Sequence, residues 1–338
     1  MRRHDLTERI LLLRAVPVFR AMTASELAPL AASMRSATFE KGEVVLREDE
    51  PPKSFHLLLT GSVTIRRRGI VLRTISAPGG VGFLSLLART SGGTEAVAET
   101  RTETFELRAD AIHELFEDHF AVLLATLRWV TEWLIQESMN QEPPPYVPPT
   151  DGFDRLVGER ELGIVERIFL LRRTIGFEHA NVNSTARLVR AMKEVRVDAG
   201  TTLWRAGDRA TNILFLVKGK MESSWHDAES GRRFVQVVGP GYIVGGGEAI
   251  ANRPRWNELV TIEPAVFLHG SRESLIDMLE DDLDVALDFL SVVASFCLMA
   301  WDRRAEAALA GSSSRRASSP LEGGRGPEGR EDGARPGI

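Results

Sequence analysis

Two runs of alternation stand out in the hydrophobic pattern of the chain. In Phe55-His56-Leu57-Leu58-Leu59, and again in Ile213-Leu214-Phe215-Leu216-Val217, apolar residues recur two apart, the period of a strand with one face in a core. Each run closes on a glycine, Gly61 or Gly219, and Val63-Thr64-Ile65 then alternates again. The likeness extends upstream: GEVVLREDEPPKSFHLLLTG (Gly42 to Gly61) and GTTLWRAGDRATNILFLVKG (Gly200 to Gly219) have the same length between their flanking glycines. At a constant offset of 158, Val45 pairs with Leu203, Phe55 with Ile213, Leu57 with Phe215 and Leu59 with Val217. Self-similarity of this kind fixes architecture, because each copy must repeat one structural unit. Ile112 to Phe120 and Leu275 to Leu283 match further on, both at helical spacing. The pattern predicts two strand-rich units, each closed by helices.

Between the halves lies QEPPPYVPPTDG, Gln141 to Gly152, whose five prolines exclude helix interior and favour an extended spacer. We therefore expect a first domain over 1–140, a Pro-rich linker over 141–155 and a second domain over 156–304. The remaining 305–338 is largely Gly, Ser, Pro and charge, and is expected to be a disordered tail. Within it Arg315-Arg316-Ala317-Ser318 has the form of a basophilic kinase site, against the plainer reading of a solvated tail. Residues 289–301, FLSVVASFCLMAW, are the most apolar stretch and fall short of the roughly 20 residues that span a bilayer. That segment is apolar on more than one helical face, which one core cannot easily cover, so a homodimer or a docked neighbour is expected there.

Composition narrows the function. A net charge of −5 gives no general attraction to nucleic acid. The basic run Arg66-Arg67-Arg68 precedes Gly69 and reads as an exposed hairpin end. One cysteine, Cys297, excludes an internal disulfide and a structural zinc site. The seven histidines are scattered, with no nucleophile motif such as G-x-S-x-G, so an enzyme is not expected. No segment reads as a signal peptide, and a cytoplasmic protein is expected. Trp129 and Trp133, four apart with Val122 and Leu127 nearby, read as helix packing.

The pattern G-x-x-L-x-x-x-G-D-x-A-x-x-I-x-F-L-V-x-G in the second half resembles the opening of the cyclic-nucleotide-binding domain family, of the catabolite activator and protein kinase A regulatory subunit kind. The resemblance covers roughly 12–138 and 160–303; the first half is more divergent, with Asp49-Glu50 in place of Gly-Asp. It implies a mainly β fold with helices (α+β): two tandem, degenerate β-rolls of double-stranded β-helix type. It also implies a phosphate-binding cassette, in which a glycine admits backbone N–H groups to the phosphate, arginine neutralises it and glutamate accepts from the ribose.

In the second half the cassette runs from Gly241 to Trp256. Arg255, after Pro254, stands at the family arginine position; Gly246 stands at the glutamate position, with Glu248 two residues on. Gly245, Gly246 and Gly247 offer an adaptable, anion-friendly backbone. The candidate ligand site is therefore Gly245, Gly246, Gly247, Glu248, Arg255 and, as a stacking surface for a purine, Trp256. Each has a plainer alternative: a surface arginine, a flexible loop, a first-turn acid, a core tryptophan. In the first half Phe83 replaces the glutamate and Gly93 the arginine, with only Arg89 near enough to substitute, so an empty site is expected there.

Two functions stay open. One is a regulatory module sensing a cyclic nucleotide (cAMP or cGMP) or another small anion in the second domain, without a metal, and signalling to a protein partner through its helices. The other is a scaffold that keeps the fold and has lost the ligand. The helix-turn-helix of the family's transcription factors does not follow the last apolar segment, so direct nucleic-acid binding is not expected.

Overall fold

A computed structural model describes the chain over 5–20, 22–89, 94–145, 157–174, 177, 182–227 and 230–317, with side chains to residue 306 except Ser184. The first half begins with α1 (Leu6–Ala15), a 3-10 turn (Pro17–Phe19) and α2 (Ala24–Ser33). Capping boxes start both helices: Asp5 with Glu8, and Thr23 with Glu26. There follow β1 (Arg35–Phe39), β2 (Val44–Leu46), β3 (Ser54–Thr60), β4 (Ser62–Arg67), β5 (Ile70–Ser76), β6 (Gly79–Val81), α3 (Phe83–Ala88), β7 (Glu95–Ala98), β8 (Thr102–Arg108), α4 (Ala109–Asp118) and α5 (Phe120–Met139). The second half repeats the order. It comprises α6 (Ile164–Leu171), α7 (Val182–Ala191), β9 (Lys193–Val197), β10 (Thr202–Trp204), β11 (Asn212–Lys218), β12 (Met221–His226), β13 (Arg233–Val238), β14 (Ile243–Val244), α8 (Gly246–Ala251), β15 (Glu258–Thr261), β16 (Ala265–Ser271), α9 (Arg272–Asp281) and α10 (Leu283–Ala317).

Each half is a β-roll of two four-stranded antiparallel sheets with the same connectivity, β1-β8-β3-β6 with β2-β7-β4-β5, and β9-β16-β11-β14 with β10-β15-β12-β13. The repeat seen in the sequence is this roll. Gly61 and Gly219 occupy its tightest corner at φ +80° and +85°, and a Cβ on either would overlap the backbone of the facing strand, Arg101 O or Pro264 O. No other residue combines that dihedral with that clearance.

The halves share one core. A continuous apolar cluster runs from Leu13 through Leu127 of α5 to Trp301 of α10, while smaller clusters around Leu58 and Leu216 fill the two rolls. Each half sends its last helix to the other: α5 packs on α8, and α10 packs on α3 and α5. The exchange carries specific bonds. Ser291 Oγ donates to Ala88 O at 2.8 Å, Trp225 Nε1 to Met139 O at 3.1 Å, and Arg253 Nη1 to Glu132 at 2.6 Å.

Three expectations are corrected by this packing. Arg67 is not an exposed hairpin residue: it is 7% exposed, because α10 lies across the hairpin and Asp302 takes Arg67 Nε and Nη2 at 2.6 Å each. The apolar segment is not too short for a membrane span: Leu283–Glu306 is 24 residues long, with an 18-residue window of mean hydropathy 1.9, and half of that window is buried inside the fold. Disorder does not begin at 305, since α10 continues to Ala317; Ser318 and the rest of the tail lie outside the described residues. Among the residues of α10 whose side chains are described, Phe296 and Met299 are the large apolar ones left exposed.

Candidate functional site

The second-half cassette is a short helix held between two left-handed residues. Gly245 caps α8 at φ +78° and Asn252 ends it at φ +55°. The first half repeats the device with Gly82 (φ +92°) and Arg89 (φ +53°) around α3. Arg255 follows α8 and reaches back under it with its side chain only 1% exposed. Nη1 donates to Gly245 O at 2.8 Å, and Nη2 donates to Asn212 O at 2.6 Å and Asn212 Oδ1 at 2.5 Å. The guanidinium lies over the indole of Trp204, 4.0 Å from Cζ to the ring centre. Gly245 is required here, because any Cβ would collide with Arg255 Nη1.

Glu248 is the acidic side chain placed against Arg255. Its side chain is 6% exposed, and Oε2 stands 3.8 Å from Arg255 Nη1. Burial pushes its carboxyl above the ordinary range, against the smaller pull of its own backbone N–H and of Arg255 and Arg253. Burial lowers Arg255 in turn, with Glu248 and Asp208 opposing. Backbone bonds lock the rest: Gly207 N donates to Arg255 O and Arg255 N to Asp208 O, both at 2.8 Å, so the Gly-Asp turn is the clasp that sets the arginine.

Of the six candidates, Gly245, Glu248 and Arg255 meet around one point. Gly246 is buried in the first turn of α8, and Gly247 faces α5, where a Cβ would meet Thr131 and Ile135. Trp256 is not at the cradle; it packs against Trp225, with ring centres 4.8 Å apart. Asn212, Trp204 and Asn257 were missed by sequence reasoning. Asn257 accepts from Trp204 Nε1 at 3.1 Å and donates to Ser223 Oγ at 2.6 Å, holding the indole beneath Arg255. Trp204 occupies the repeat position of Leu46, so a tryptophan at an aliphatic core position was the available signal.

In the first half Arg89 ends α3 and turns toward Asp288 of α10, 3.6 Å away. Gly93 lies outside the described residues. Among the described residues no cluster of three His, Cys, Asp or Glu is placed to hold a metal.

The family profile for the cyclic nucleotide-binding domain matches residues 37–119 and 194–282, just over half the chain and once in each roll. The chain belongs to the cyclic nucleotide-binding domain family. No curated protein matches it. Among solved structures, the family member is similar to the regulatory domain of Toxoplasma gondii PKA with cAMP (14% identity, 87% of this chain and 98% of that one, TM-score 0.34). It is also similar to the regulatory subunit of a cAMP-independent protein kinase A from Trypanosoma cruzi bound to guanosine (15% identity, 85% and 87%, TM-score 0.34). The N-terminal domain of a transcriptional regulator from Streptomyces coelicolor is similar over 37% of this chain and 90% of that one, at 26% identity and TM-score 0.33.

Proposed function

We propose that this protein is a non-catalytic regulatory module that acts on a protein partner through its surfaces, with the anion cradle of its second domain filled by its own residues. The observation that carries this reading is the state of Arg255: its Nη1 and Nη2 are spent on Gly245 and Asn212, and the carboxyl of Glu248 lies 3.8 Å from Nη1. A cyclic phosphate would have to break those bonds and enter a dry site beside Glu248, at the desolvation cost of the phosphate. Partner recognition is supported by exposed apolar residues, Ile164, Val165 and Phe169 of α6 with Val182 of the adjoining α7. A cytoplasmic location belongs to the same proposal, and is supported by the burial of α10 in the shared core.

A second reading, cyclic-nucleotide sensing in the second domain, is favoured by the retained Pro254-Arg255 and by the left-handed Gly245 that opens α8. Calorimetric titration of the whole chain with cAMP and cGMP separates the two. The self-filled cradle gives no saturable heat at millimolar nucleotide. Saturation near one site per chain that is lost in Arg255→Ala would overturn it and establish the sensor.

A further inference from the structure

Arg128 stands on α5 at the seam between the halves, half-buried, and its Nε is buried without a hydrogen-bond partner among the described residues. An acid one turn along a helix commonly pairs with such a group, but the candidate here, Glu132, is turned to Arg253 Nη1 at 2.6 Å. Thr131, three residues along the same face and 2% exposed, carries a second orphan: its Oγ1 has no partner among the described residues either. Thr126 on the same helix shows the ordinary solution, with Oγ1 donating to Val122 O at 2.8 Å. Buried polar groups left in the state of Arg128 Nε and Thr131 Oγ1 are rare.

A second cation arrives from the other half. Arg272 opens α9, and its Nε donates to Ala249 O at 2.7 Å, which holds its side chain against α8. α8 is also the helix on which α5 packs, since a Cβ on Gly247 would meet Thr131 at 3.5 Å. The charge of Arg272 reaches Arg128: burial lowers Arg128 below the ordinary arginine range, and repulsion from Arg272 adds to it. Among the described residues neither arginine forms an ion pair. Like charges in a partly desolvated seam are relieved by an anion, and a tetrahedral dianion suits these two. Its charge balances both guanidiniums and its oxygens point in several directions, where a carboxylate brings one charge and two oxygens in a plane. We propose that Arg128 and Arg272, with the Thr131 hydroxyl as inner donor, bind a small divalent oxyanion of the phosphate type that ties α5 of the first half to α9 of the second. Arg255 takes no part in it, so the site stands whether or not the cradle is filled.

The test is calorimetric titration of the whole chain with inorganic phosphate, methyl phosphate and acetate, at constant ionic strength and slightly alkaline pH, where both phosphates are divalent. Saturable binding of a phosphate and none of acetate is expected, and the tighter of the two phosphates tells whether the free ion or an ester is the occupant. Arg128→Gln and Arg272→Gln are each expected to weaken it roughly ten-fold or more, from loss of a charge-assisted hydrogen bond. Arg128→Gln removes no bond of the described structure, so it tests the site without threatening the fold, and without phosphate it is expected to melt no lower than the parent. Equal binding of acetate would overturn the ligand class, and unchanged affinity in Thr131→Val would overturn the role of that hydroxyl. Unchanged affinity in both arginine variants, or no saturation by either phosphate, would overturn the site.

Discussion

The bond between Arg67 and Asp302 joins the hairpin of one domain to the last helix of the other, and its worth follows from its burial. The two side chains are 8% and 18% exposed and meet through two contacts of 2.6 Å. Removing one partner of a fully buried pair costs about 3–5 kcal/mol, whereas a solvent-exposed pair is worth about 0–1 kcal/mol. Asp302 is partly reached by water and also lies 3.3 Å from Arg68, so Asp302→Ala is expected to cost about 2–3 kcal/mol. Much of that is the charge left on Arg67 without its bidentate carboxylate. The double variant Arg67→Met/Asp302→Leu removes both charges and is expected within about 1 kcal/mol of the parent, since apolar replacement of a buried pair is often neutral. Urea denaturation of the parent, both single variants and the double variant closes the cycle. A single Asp302→Ala variant within about 0.5 kcal/mol of the parent, or a double variant as costly as the sum of the singles, would refute the account.

Two further outcomes follow at the cradle. Gly245→Ala is expected to destabilise by at least about 1–2 kcal/mol, the cost of the left-handed backbone, plus the displacement of Arg255. Gly42→Ala is the control, because Gly42 has φ +88° with nothing within 4 Å of a Cβ; equal losses in urea melts would show that Arg255 does not press on Gly245. Glu248 has its carboxyl raised in the fold, so between the ordinary carboxylate value and that raised value the folded state holds more protons than the unfolded one. Its contribution to stability therefore falls as pH rises through that window. Glu248→Gln is expected to be more stable than the parent at neutral pH, with the advantage vanishing once pH falls below the ordinary carboxylate range; a constant offset between their denaturation midpoints from acid to neutral pH would contradict it.

Local pattern carried much of the fold because a β-roll is built from period-two strands and fixed-φ glycines, both visible in one dimension. The offset of 158 that pairs Phe55 with Ile213 is a statement about two identical strand positions, β3 and β11. The proximity of Arg255 to Gly245 was legible for the same reason, since both belong to one short helix and its flanks. What escaped was everything carried across the domain seam. Arg67 looked exposed because strand alternation says nothing of a helix arriving from 235 residues away. Asn212 and Trp204 escaped because a polar residue at a strand start and an aromatic in a core are individually ordinary, and only the folded roll aims both at one guanidinium.

The exchange of last helices also accounts for the composition of α10. A helix apolar on several faces calls for more than one cover, and here α3 and α5 of the first half supply it, with Leu290, Val293, Cys297 and Trp301 buried in the shared core. A second copy of the chain would compete for the same surfaces only at its bulk concentration. The first half competes at the effective concentration set by the segment between α5 and α6, on the order of millimolar for a short tether. The homodimer that the sequence suggested thus loses its main driving surface to the chain's own pseudo-symmetric partner. Both seam contacts are therefore made by one helix: Trp301 packs edge-on against Trp133 of α5, Asp302 holds Arg67 of the hairpin, and α10 continues past them to Ala317.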